Sequence, residues 1–538
     1  MKVYQAIAKS LIDHGIDTVF GLIGDANLFM ADSFQREQGG KFVASSHEVG
    51  ATLMALGYGA LSNTVAVATV THGPAVVNTL TALIEGVKAR TPLVLLCGDT
   101  AVGERYDLQN VNQREFIMAT GAGFEQLRSP KTVVEDVATA FRRAKVEHRP
   151  IALNVPVDFQ WMDVEYAPFQ YTVPECRMVA PESDGMNDAV GIIASARRPL
   201  VLAGRGAIAQ SSRSSILRLA KRIDAPLFTS LKGKDLFRGE AFNFGIFGTL
   251  STPEAVDVIL SSDCVIAFGA SLNEFTTANG TFLEGKRVVQ VNAEQAEIGR
   301  QVHPDAGVVG DSGLVADLMV RLLDEAEIPA SGYTVELGKG EDKAKAASFS
   351  QTSHRKPGTL DLRVALRMLD EALPAERVLV TDCGRCIEEV WRSVGVLEPA
   401  MFLNTINSAA LGLGVSQAIG AAMASGRPTV AITGDGGFML GGLTEFNTAV
   451  RYNCDLVVVV CNDGGYGAEH IQFRNRDMDP TIALMGWPDF ASVAKALGGT
   501  GFTIRNMDDL RLALRAIQGR SGPMLIDLHI DPDNLSYS

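Results

Sequence analysis

Short apolar runs recur along this chain of 538 residues, and segments of helical periodicity separate them. The clearest runs are rich in Val, Ile and Leu and lie at residues 65–71, 93–98, 151–157, 200–204, 264–269, 288–292, 378–382, 429–433, 456–462 and 524–530. Because their apolarity is continuous rather than alternating, they predict strands that are covered on both faces. The predicted fold class is therefore α/β, built from doubly wound parallel sheets flanked by helices.

Two stretches without apolar periodicity divide the chain. Residues 166–184 contain Pro168, Pro174 and Pro181, and residues 327–357 are polar, with a tract rich in Lys, Ser and Ala. Segments of this composition are typical of linkers between domains. They predict three α/β domains of ordinary size, at residues 1–165, 185–325 and 357–538.

Composition excludes several classes of partner. With 48 Lys and Arg against 62 Asp and Glu the net charge is −14, so no nucleic-acid partner is expected. No apolar run approaches the roughly 20 residues that span a bilayer, so no membrane partner is expected either. The first 15 residues predict an amphipathic helix rather than a signal peptide. Seven scattered cysteines fit a reducing compartment, which predicts a cytoplasmic protein.

The first and third predicted domains contain similar segments at an offset of 363 residues. Residues 80–96 lie over 443–459, and residues 66–73 lie over 429–436, in both cases with apolar positions in common. The repeat suggests duplicated strand–helix–strand units. Their loops differ, because Asp435 corresponds to His72 and Asn462 corresponds to Asp99.

Polar, glycine-rich turns follow two predicted strands of the third domain. Asp435 and Asn462 each come directly after such a strand, and if the strands are neighbours both turns lie at the same edge of the sheet. Carboxylate, amide and backbone carbonyl oxygens suit Mg²⁺, which usually also binds phosphate oxygens. The adjacent glycines allow backbone N–H groups to approach those phosphates. Two ordinary glycine turns are the alternative interpretation of this pattern.

The segment from Gly434 to Asn462 resembles the signature of thiamine-diphosphate-dependent enzymes. Gly434-Asp435-Gly436 is followed by 25 residues and then by Asn462, and Asp463 stands where the family usually has a second Asn. The resemblance implies that Asp435, Asn462 and the carbonyl of Gly464 bind Mg²⁺.

The resemblance extends over nearly the whole chain. Residues 45–51, 71–78, 198–199, 295–299 and 411–421 resemble further segments of the family, in the order pyrimidine-binding, central and pyrophosphate-binding domain. The branch most similar to this chain contains acetolactate synthase, benzoylformate decarboxylase and pyruvate oxidase.

The resemblance implies that Glu48 is the carboxylate that binds the pyrimidine ring of the cofactor and promotes formation of its carbon nucleophile. Leu411 corresponds to the aliphatic residue that bends the cofactor. The full set of implied cofactor-binding residues is Glu48, Gly73, Pro74, Asn78, Leu411, Gly434, Gly436, Gly437 and Tyr466. Taken alone, Glu48 is also consistent with an acid in the first turn of a helix, and Leu411 with core packing.

Three further residues are candidate catalytic groups. His72 replaces the serine of the acetolactate synthase pattern and is a candidate proton donor or substrate ligand. Asp25 resembles a loop residue of the decarboxylases, and Gln109 matches a glutamine of the acetolactate synthase branch. The alternatives are a histidine with an ordinary hydrogen-bonding role and, for Asp25, a carboxylate that caps the following helix.

The segment after Gly464 is expected to face the substrate. Ala468 and Ile471 are three residues apart and predict one helical face that lines the substrate cavity. Glu469 and His470 are equally consistent with solvent-facing positions.

Two other motifs are not assigned a function. Cys383-Gly384-Arg385-Cys386 has the spacing of a redox or metal motif, but it lacks a second pair and a thioredoxin-like context. Gly204-Arg205-Gly206-Ala207 is a partial dinucleotide fingerprint, and residues 269–280 lack the arginine-bearing FAD pattern of relatives. FAD is therefore not favoured as a cofactor.

Together these features predict a thiamine-diphosphate- and Mg²⁺-dependent C–C bond lyase or carboligase that acts on 2-oxo acids or 2-hydroxy ketones (acyloins). The alternatives are a flavin-assisted oxidase of the same family and a non-catalytic thiamine-binding paralogue. The resemblance also implies a homodimer or homotetramer with the site at the subunit interface, because Glu48 and Asp435 are expected to serve one cofactor from different chains.

Overall fold

The described part of the chain forms three parallel β-sheets of six strands each, flanked by helices. The computed structural model describes residues 1–62, 64–104, 106–173, 183–338 and 356–534. The predicted α/β fold class with three doubly wound domains is confirmed. Parts of both predicted linkers, residues 174–182 and 339–355, lie outside the described residues.

The first sheet has the strand order β2-β1-β3-β4-β6-β5. Its strands are β1 (Thr18–Gly21), β2 (Lys41–Ala44), β3 (Ala66–Val70), β4 (Leu93–Asp99), β5 (Gly123–Gln126) and β6 (Pro150–Pro156). The helices around it are α1 (Val3–Asp13), α2 (Leu28–Asp32), α3 (Glu48–Ser62), α4 (Pro74–Val77), α5 (Leu80–Ala89), α6 (Gln113–Ala119) and α7 (Val133–Glu147).

The middle sheet has the order β12-β11-β10-β7-β8-β9, in which two halves meet at β7 and β10. Its strands are β7 (Pro199–Ala203), β8 (Leu227–Thr229), β9 (Asn243–Ile246), β10 (Cys264–Phe268), β11 (Arg287–Asn292) and β12 (Ala306–Val309). Its helices are α8 (Asp184–Ser195), α9 (Gln210–Arg222), α10 (Pro253–Ser261), α11 (Glu274–Thr277), α12 (Ser312–Glu325) and α13 (Tyr333–Glu336).

The third sheet has the order β14-β13-β15-β16-β18-β17. Its strands are β13 (Val378–Thr381), β14 (Phe402–Asn404), β15 (Thr429–Gly434), β16 (Leu456–Asn462), β17 (Thr500–Ile504) and β18 (Met524–His529). Its helices are α14 (Leu362–Ala372), α15 (Ile387–Ser393), α16 (Gly414–Ser425), α17 (Asp435–Gly437), α18 (Leu443–Arg451), α19 (Gly467–Arg474), α20 (Phe490–Ala496) and α21 (Met507–Gln518).

The repeat predicted from the sequence is confirmed by the topology. The first and third sheets have the same strand order, and β3 and β4 occupy the positions of β15 and β16. The same offset of 363 residues relates Glu48, which begins α3, to Leu411, which lies just before α16. Two predicted site residues therefore lie at equivalent positions of the two copies.

The described chain forms two compact units. One contains the first and third sheets, and the other contains the middle sheet together with residues 391–402. None of the helices in the described ranges combines the length and the apolarity that crossing a lipid bilayer requires.

Helices α3 and α16 pack directly against each other and join the first and third sheets. Their backbones come so close that a Cβ atom on Gly57 would lie 2.0 Å from the carbonyl oxygen of Gln417. A Cβ atom on Gly420 would lie 1.8 Å from the carbonyl oxygen of Met54. Glycine is therefore required on both helices for this approach.

Two buried glutamates link the same halves reciprocally. Glu445 of α18 accepts hydrogen bonds from the backbone N–H groups of Ser46 (3.1 Å) and His47 (3.0 Å), just before α3. Glu85 of α5 accepts from the backbone N–H of Ser408, at 2.9 Å, and from the amide of Asn407, at 2.6 Å. Each carboxylate thereby fixes the turn that precedes the central helix of the other half.

We expect the substitution Gly420→Ala to lower the free energy of unfolding by about 1–3 kcal/mol, because the added methyl group separates α3 from α16. Gly191→Ala is the matched control, since a Cβ atom at this position of α8 meets nothing within 4 Å. The control should be neutral or slightly stabilising. Thermal unfolding followed by calorimetry compares the two variants, and equal midpoints would contradict the close helix contact.

Candidate functional site

Asp435 is the centre of the predicted metal site. It follows β15, whose neighbour in the sheet is β16, so the two glycine-rich turns do lie at the same edge. Its Oδ1 accepts a hydrogen bond from the N–H of Gly436 at 2.8 Å. Its Oδ2 accepts from the N–H groups of Gly464 and Gly465, each at 2.9 Å. The turn after β16 is thus folded onto the carboxylate that follows β15.

Burial, and after it the nearby carboxylate of Asp463, raise the pKa of Asp435 to about 7. The three backbone N–H groups act in the opposite direction, because they stabilise the charged form. A buried carboxylate close to a second acidic side chain is costly to ionise, and a bound divalent cation offsets that cost. The electrostatics of this turn therefore suit a cation.

The other two predicted ligands belong to the same network. Asn462 Oδ1 accepts from the N–H of Gly464 at 3.1 Å, and its amide donates to the buried Asp527 at 2.8 Å. Gly464 has a φ of +86°, which glycine adopts without strain. Its carbonyl oxygen accepts from the N–H of Met485 at 2.7 Å.

No group of three or more His, Cys, Asp or Glu side chains suited to a metal occurs within the described ranges. The predicted set does not require one, because it consists of one carboxylate, one amide and one backbone carbonyl. These hard oxygen donors suit Mg²⁺ better than a transition metal.

The predicted glycines differ in what surrounds them. A Cβ atom on Gly434 would meet nothing within 4 Å, so this backbone faces open space at the start of α17. A Cβ atom on Gly436 would lie 2.7 Å from the ring of Tyr466, and one on Gly437 would lie 2.8 Å from Thr433 Oγ1. The turn leaves room at Gly434 next to the N-terminus of a helix, a position that suits a phosphate group.

Sequence reasoning missed Asp382, which supports the turn after β15 through a hydrogen bond from Thr433. Its fully buried carboxylate accepts hydrogen bonds from the N–H groups of Cys383, Gly412 and Leu413 and from the hydroxyl of Thr433. Burial raises its pKa despite these donors. The half-buried Leu411 directly precedes Gly412, so Asp382 fixes the backbone beside it. The only signal in the sequence was a carboxylate at the end of an apolar strand.

On the first sheet, Glu48 and Asn78 are brought together as a pair. Glu48 begins α3, and its side chain is 15% exposed. Its Oε2 accepts a hydrogen bond from the amide of Asn78 at 3.1 Å and lies 3.5 Å from Nδ1 of His47. The amide of Asn78 thus orients the carboxylate.

Gly73 and Pro74 form the turn between β3 and α4. Gly73 has a φ of +62°, and a Cβ atom there would lie 1.9 Å from the carbonyl oxygen of Gln109. The buried side chain of Gln113 accepts from the N–H of Gly73 and donates to the carbonyl of Gly98 at 3.0 Å. Sequence reasoning missed Gln113, because nothing in its local pattern distinguishes it from any other first residue of a helix.

His72 and Gln109 both lie next to the carboxylate of Asp107. His72 is 5% exposed, and its Nε2 lies 3.5 Å from Oδ2 of Asp107 without a hydrogen bond. The backbone N–H of Gln109 donates to Oδ1 of Asp107 at 2.7 Å, while the side chain of Gln109 is exposed. The structure therefore brings these two candidates to one loop.

Asp25 is exposed, and it does not cap helix α2, which begins at Leu28 without a side-chain cap. The capping alternative for Asp25 is wrong because Asn27 closes the loop instead. The Oδ1 of Asn27 accepts from the N–H of Gly24 at 2.8 Å, and its amide donates to the carbonyl of Leu22 at 3.1 Å.

Helix α19 presents half-buried Ala468 and Ile471 and exposed Glu469. His470 is buried, and its Nε2 lies 2.9 Å from Oδ1 of Asp533. The alternative that His470 faces solvent is therefore wrong, because it pairs with the segment that follows the last strand.

The glycines of the partial dinucleotide fingerprint pack against a neighbouring loop. Cβ atoms on Gly204 and Gly206 would lie 2.4 Å and 2.9 Å from the backbone of Gly269. The close approach of two loops thus accounts for these glycines.

In the C-x-x-C motif, burial raises the pKa of the Cys383 thiol to about 11, which keeps it protonated at neutral pH.

Within one chain the predicted residues form two separate groups. In the described ranges, no hydrogen bond or ion pair joins the side chains of Glu48 or His72 to those of Asp435 or Asn462. One group lies on the first sheet and the other lies on the third.

Comparison with known families matches three successive parts of the chain to three domains that share one description. Residues 1–120 match the thiamine pyrophosphate enzyme N-terminal TPP binding domain, and residues 186–319 match the central domain. Residues 382–528 match the C-terminal TPP binding domain.

Curated relatives are similar over almost the whole chain. A sulfoacetaldehyde acetyltransferase of Rhodobacter capsulatus is 28% identical, covering 96% of this chain and 91% of the relative. A probable 2-ketoarginine decarboxylase of Pseudomonas aeruginosa is 28% identical, covering 97% and 93%. An acetolactate synthase large subunit of Parasynechococcus marenigrum is 26% identical, covering 98% and 87%.

We expect Asp382→Asn to lower the free energy of unfolding by about 1–3 kcal/mol, because an amide cannot accept hydrogen bonds from all four donors around it. The matched control is Asp508→Asn, whose side chain is 90% exposed and which should change stability by less than about 0.5 kcal/mol. Denaturant unfolding followed by fluorescence measures both. A neutral Asp382→Asn variant would contradict the role of this carboxylate.

Proposed function

This chain belongs to the thiamine-pyrophosphate-dependent enzymes, and we propose that it cleaves or joins the C–C bond next to a carbonyl with the help of Mg²⁺ bound by Asp435, Asn462 and Gly464. Decarboxylase and carboligase activities on small molecules are those of its family. The observation that carries the proposal is the pair of hydrogen bonds from Gly464 and Gly465 to Asp435. They gather three hard oxygen donors at one edge of the third sheet.

The metal and the diphosphate are assigned to the third sheet. Asp435, the amide oxygen of Asn462 and the carbonyl of Gly464 would hold Mg²⁺, and the backbone of the turn at Gly434, Gly436 and Gly437, which is open at Gly434, would bind phosphate oxygens. Tyr466 packs its ring over Gly436 and closes one side of the turn.

The pyrimidine part of the cofactor is assigned to the first sheet. When bound, thiamine diphosphate supplies a carbon nucleophile that attacks the substrate carbonyl and accepts the electron pair of the broken bond. Glu48 holds a proton between its carboxylate and a ring nitrogen of the cofactor, and the amide of Asn78 keeps the carboxylate in place. Gly73 and Pro74 would form the adjoining wall, and Leu411 would lie against the bound cofactor.

Three residues are assigned to the substrate. His72 is buried in the loop just after β3 and moves a proton to or from the reacting part of the substrate. Asp25 and the side chain of Gln109 are exposed and are free to contact the substrate directly.

A second copy of the chain completes the site. Glu48 and Asp435 lie on different sheets without a direct link, and large apolar side chains are exposed near both groups. Tyr106 and Leu108 are 82% and 102% exposed on either side of Asp107, which lies close to His72, and Leu440 and Ile482 are 67% and 79% exposed in segments next to the proposed metal site. Exposed apolar side chains of this size favour a protein interface. The assembly is a homodimer or homotetramer, located in the cytoplasm.

The substrate class is tested by a product screen with mass spectrometry. The purified protein, thiamine diphosphate and Mg²⁺ are offered pyruvate, benzoylformate, branched 2-oxo acids, 2-ketoarginine, sulfoacetaldehyde and acyloins. Glu48→Gln should retain the cofactor but lose about 10²–10⁴-fold in turnover, because an amide cannot share the proton. Glu37→Gln, at an exposed position of the same domain, is the control and should turn over normally. Normal turnover of Glu48→Gln would remove Glu48 from its role.

Asp435→Ala should abolish Mg²⁺-dependent retention of thiamine diphosphate, because the variant lacks the only charged oxygen of the proposed ligand set. Isothermal calorimetry with thiamine diphosphate, in the presence of Mg²⁺ and of EDTA, measures the effect. The wild type is expected to bind the cofactor tightly with Mg²⁺ and weakly with EDTA. Equal affinities of the variant and the wild type would overturn the assigned metal site.

A further inference from the structure

Arg385, the third residue of the C-x-x-C motif, is buried beside the proposed metal site. Its side chain is 1% exposed, and its Nη2 atom donates to two acceptors. One is Oδ2 of Asp463, at 3.2 Å, and the other is the carbonyl oxygen of Pro532, at 2.7 Å. A single guanidinium therefore joins two segments that are far apart in the sequence.

The first of these segments is the metal turn, residues 462–464. Asp463 lies between the proposed ligands Asn462 and Gly464, so whatever fixes its side chain also fixes the backbone between them. Asp463 is enclosed on its other side as well, because a Cβ atom on Gly467 would lie 1.9 Å from its Oδ2.

The second segment is the C-terminal strap, which we define as residues 530–534. Its first residue, Ile530, donates its N–H to the carbonyl of Asn462 at 2.9 Å. Its Asp533 lies 2.9 Å from Nε2 of His470 and 3.5 Å from Nε of Arg474, both on α19. The strap thus contacts the metal turn at one end and helix α19, which is expected to face the substrate, at the other.

The residue type fits this position. A planar guanidinium presents several N–H groups in fixed directions and stays charged when buried, whereas an ammonium group is a single point charge. Asp463 stands where the family usually has an uncharged Asn, and its buried carboxylate requires a positive partner. Arg385 supplies that partner and leaves Asp435 as the carboxylate that faces the cation.

We propose that Arg385 is a positioning residue that fixes the metal turn against the C-terminal strap, so that Mg²⁺ affinity depends on a side chain that does not touch the metal. This inference rests on the proposed function, because it presumes that Asp435, Asn462 and Gly464 bind Mg²⁺. Groups that orient metal ligands typically change metal affinity by about 10–100-fold when they are removed.

The test compares Arg385→Met with Arg377→Met. Arg377 is a matched control, because its side chain is also buried (4% exposed) and paired with a carboxylate, Asp370, but it precedes β13 and lies at the opposite end of the strand. Both variants should lower the thermal midpoint. Only Arg385→Met should weaken Mg²⁺ binding, by about tenfold or more, in calorimetry with saturating thiamine diphosphate. A Mg²⁺ affinity of Arg385→Met equal to that of Arg377→Met would overturn the proposal.

The double variant Arg385→Met/Asp463→Asn keeps the proposal testable if Arg385→Met does not fold. It removes both charges and leaves no unpaired buried carboxylate, so it should fold more stably than Arg385→Met. Its Mg²⁺ affinity should lie below that of the wild type because the link to Pro532 is lost. Wild-type affinity in the double variant would overturn the positioning role.

Failure of this inference is distinguishable from failure of the proposed function. If Asp435→Ala loses Mg²⁺ binding and Arg385→Met does not, the metal site stands and the role of Arg385 falls. If Asp435→Ala binds Mg²⁺ as the wild type does, the metal site itself is misassigned, and the positioning role falls with it.

Discussion

The hydrogen bonds from Gly464 and Gly465 to the carboxylate of Asp435 are the interaction on which the proposed site depends. They bind the turn after β16 to the end of β15, and Asn462 and Gly464 take their places from that contact. Burial and the nearby carboxylate of Asp463 raise the pKa of Asp435 to about 7. A strongly polar turn of this kind is stable only because each group around it has a defined donor or acceptor.

The second constraint is the close contact of α3 with α16. These helices occupy equivalent positions in two copies of one strand–helix–strand arrangement, and each begins near a residue assigned to the cofactor. Glu445 fixes the turn before α3, and Glu85 fixes the turn before α16, so each copy holds the turn that precedes the central helix of the other. The duplication therefore explains both the shared topology of the two sheets and the way in which they are joined. The loops of the two copies differ, because His72 occupies the position in the first copy that Asp435 occupies in the second.

The central strands were predictable because long, continuous apolar runs arise only where both faces of a sheet are covered. All ten predicted runs coincide with strands. The strands that escaped prediction are short ones of three to five residues, such as β8 and β14, whose apolar content is too small to form a pattern. The roles of Asp382, Gln113 and Arg385 were not predicted for another reason. Each acts by hydrogen bonds to segments distant in the sequence, and no local spacing records such partners.

The sequence by itself determined the α/β class, the repeat and the family, and it indicated the oxygen donors that we propose for Mg²⁺, because apolar periodicity and glycine-rich turns are local properties of the chain. Tertiary structure alone decided which turns meet. It placed the amides of Gly464 and Gly465 on Asp435, paired Glu48 with Asn78, buried His470 against Asp533, and set Arg385 between Asp463 and Pro532. The physical reason is that a buried polar group needs a hydrogen-bond partner, and the fold supplies that partner from any part of the chain. Separation along the sequence therefore does not predict which polar groups meet.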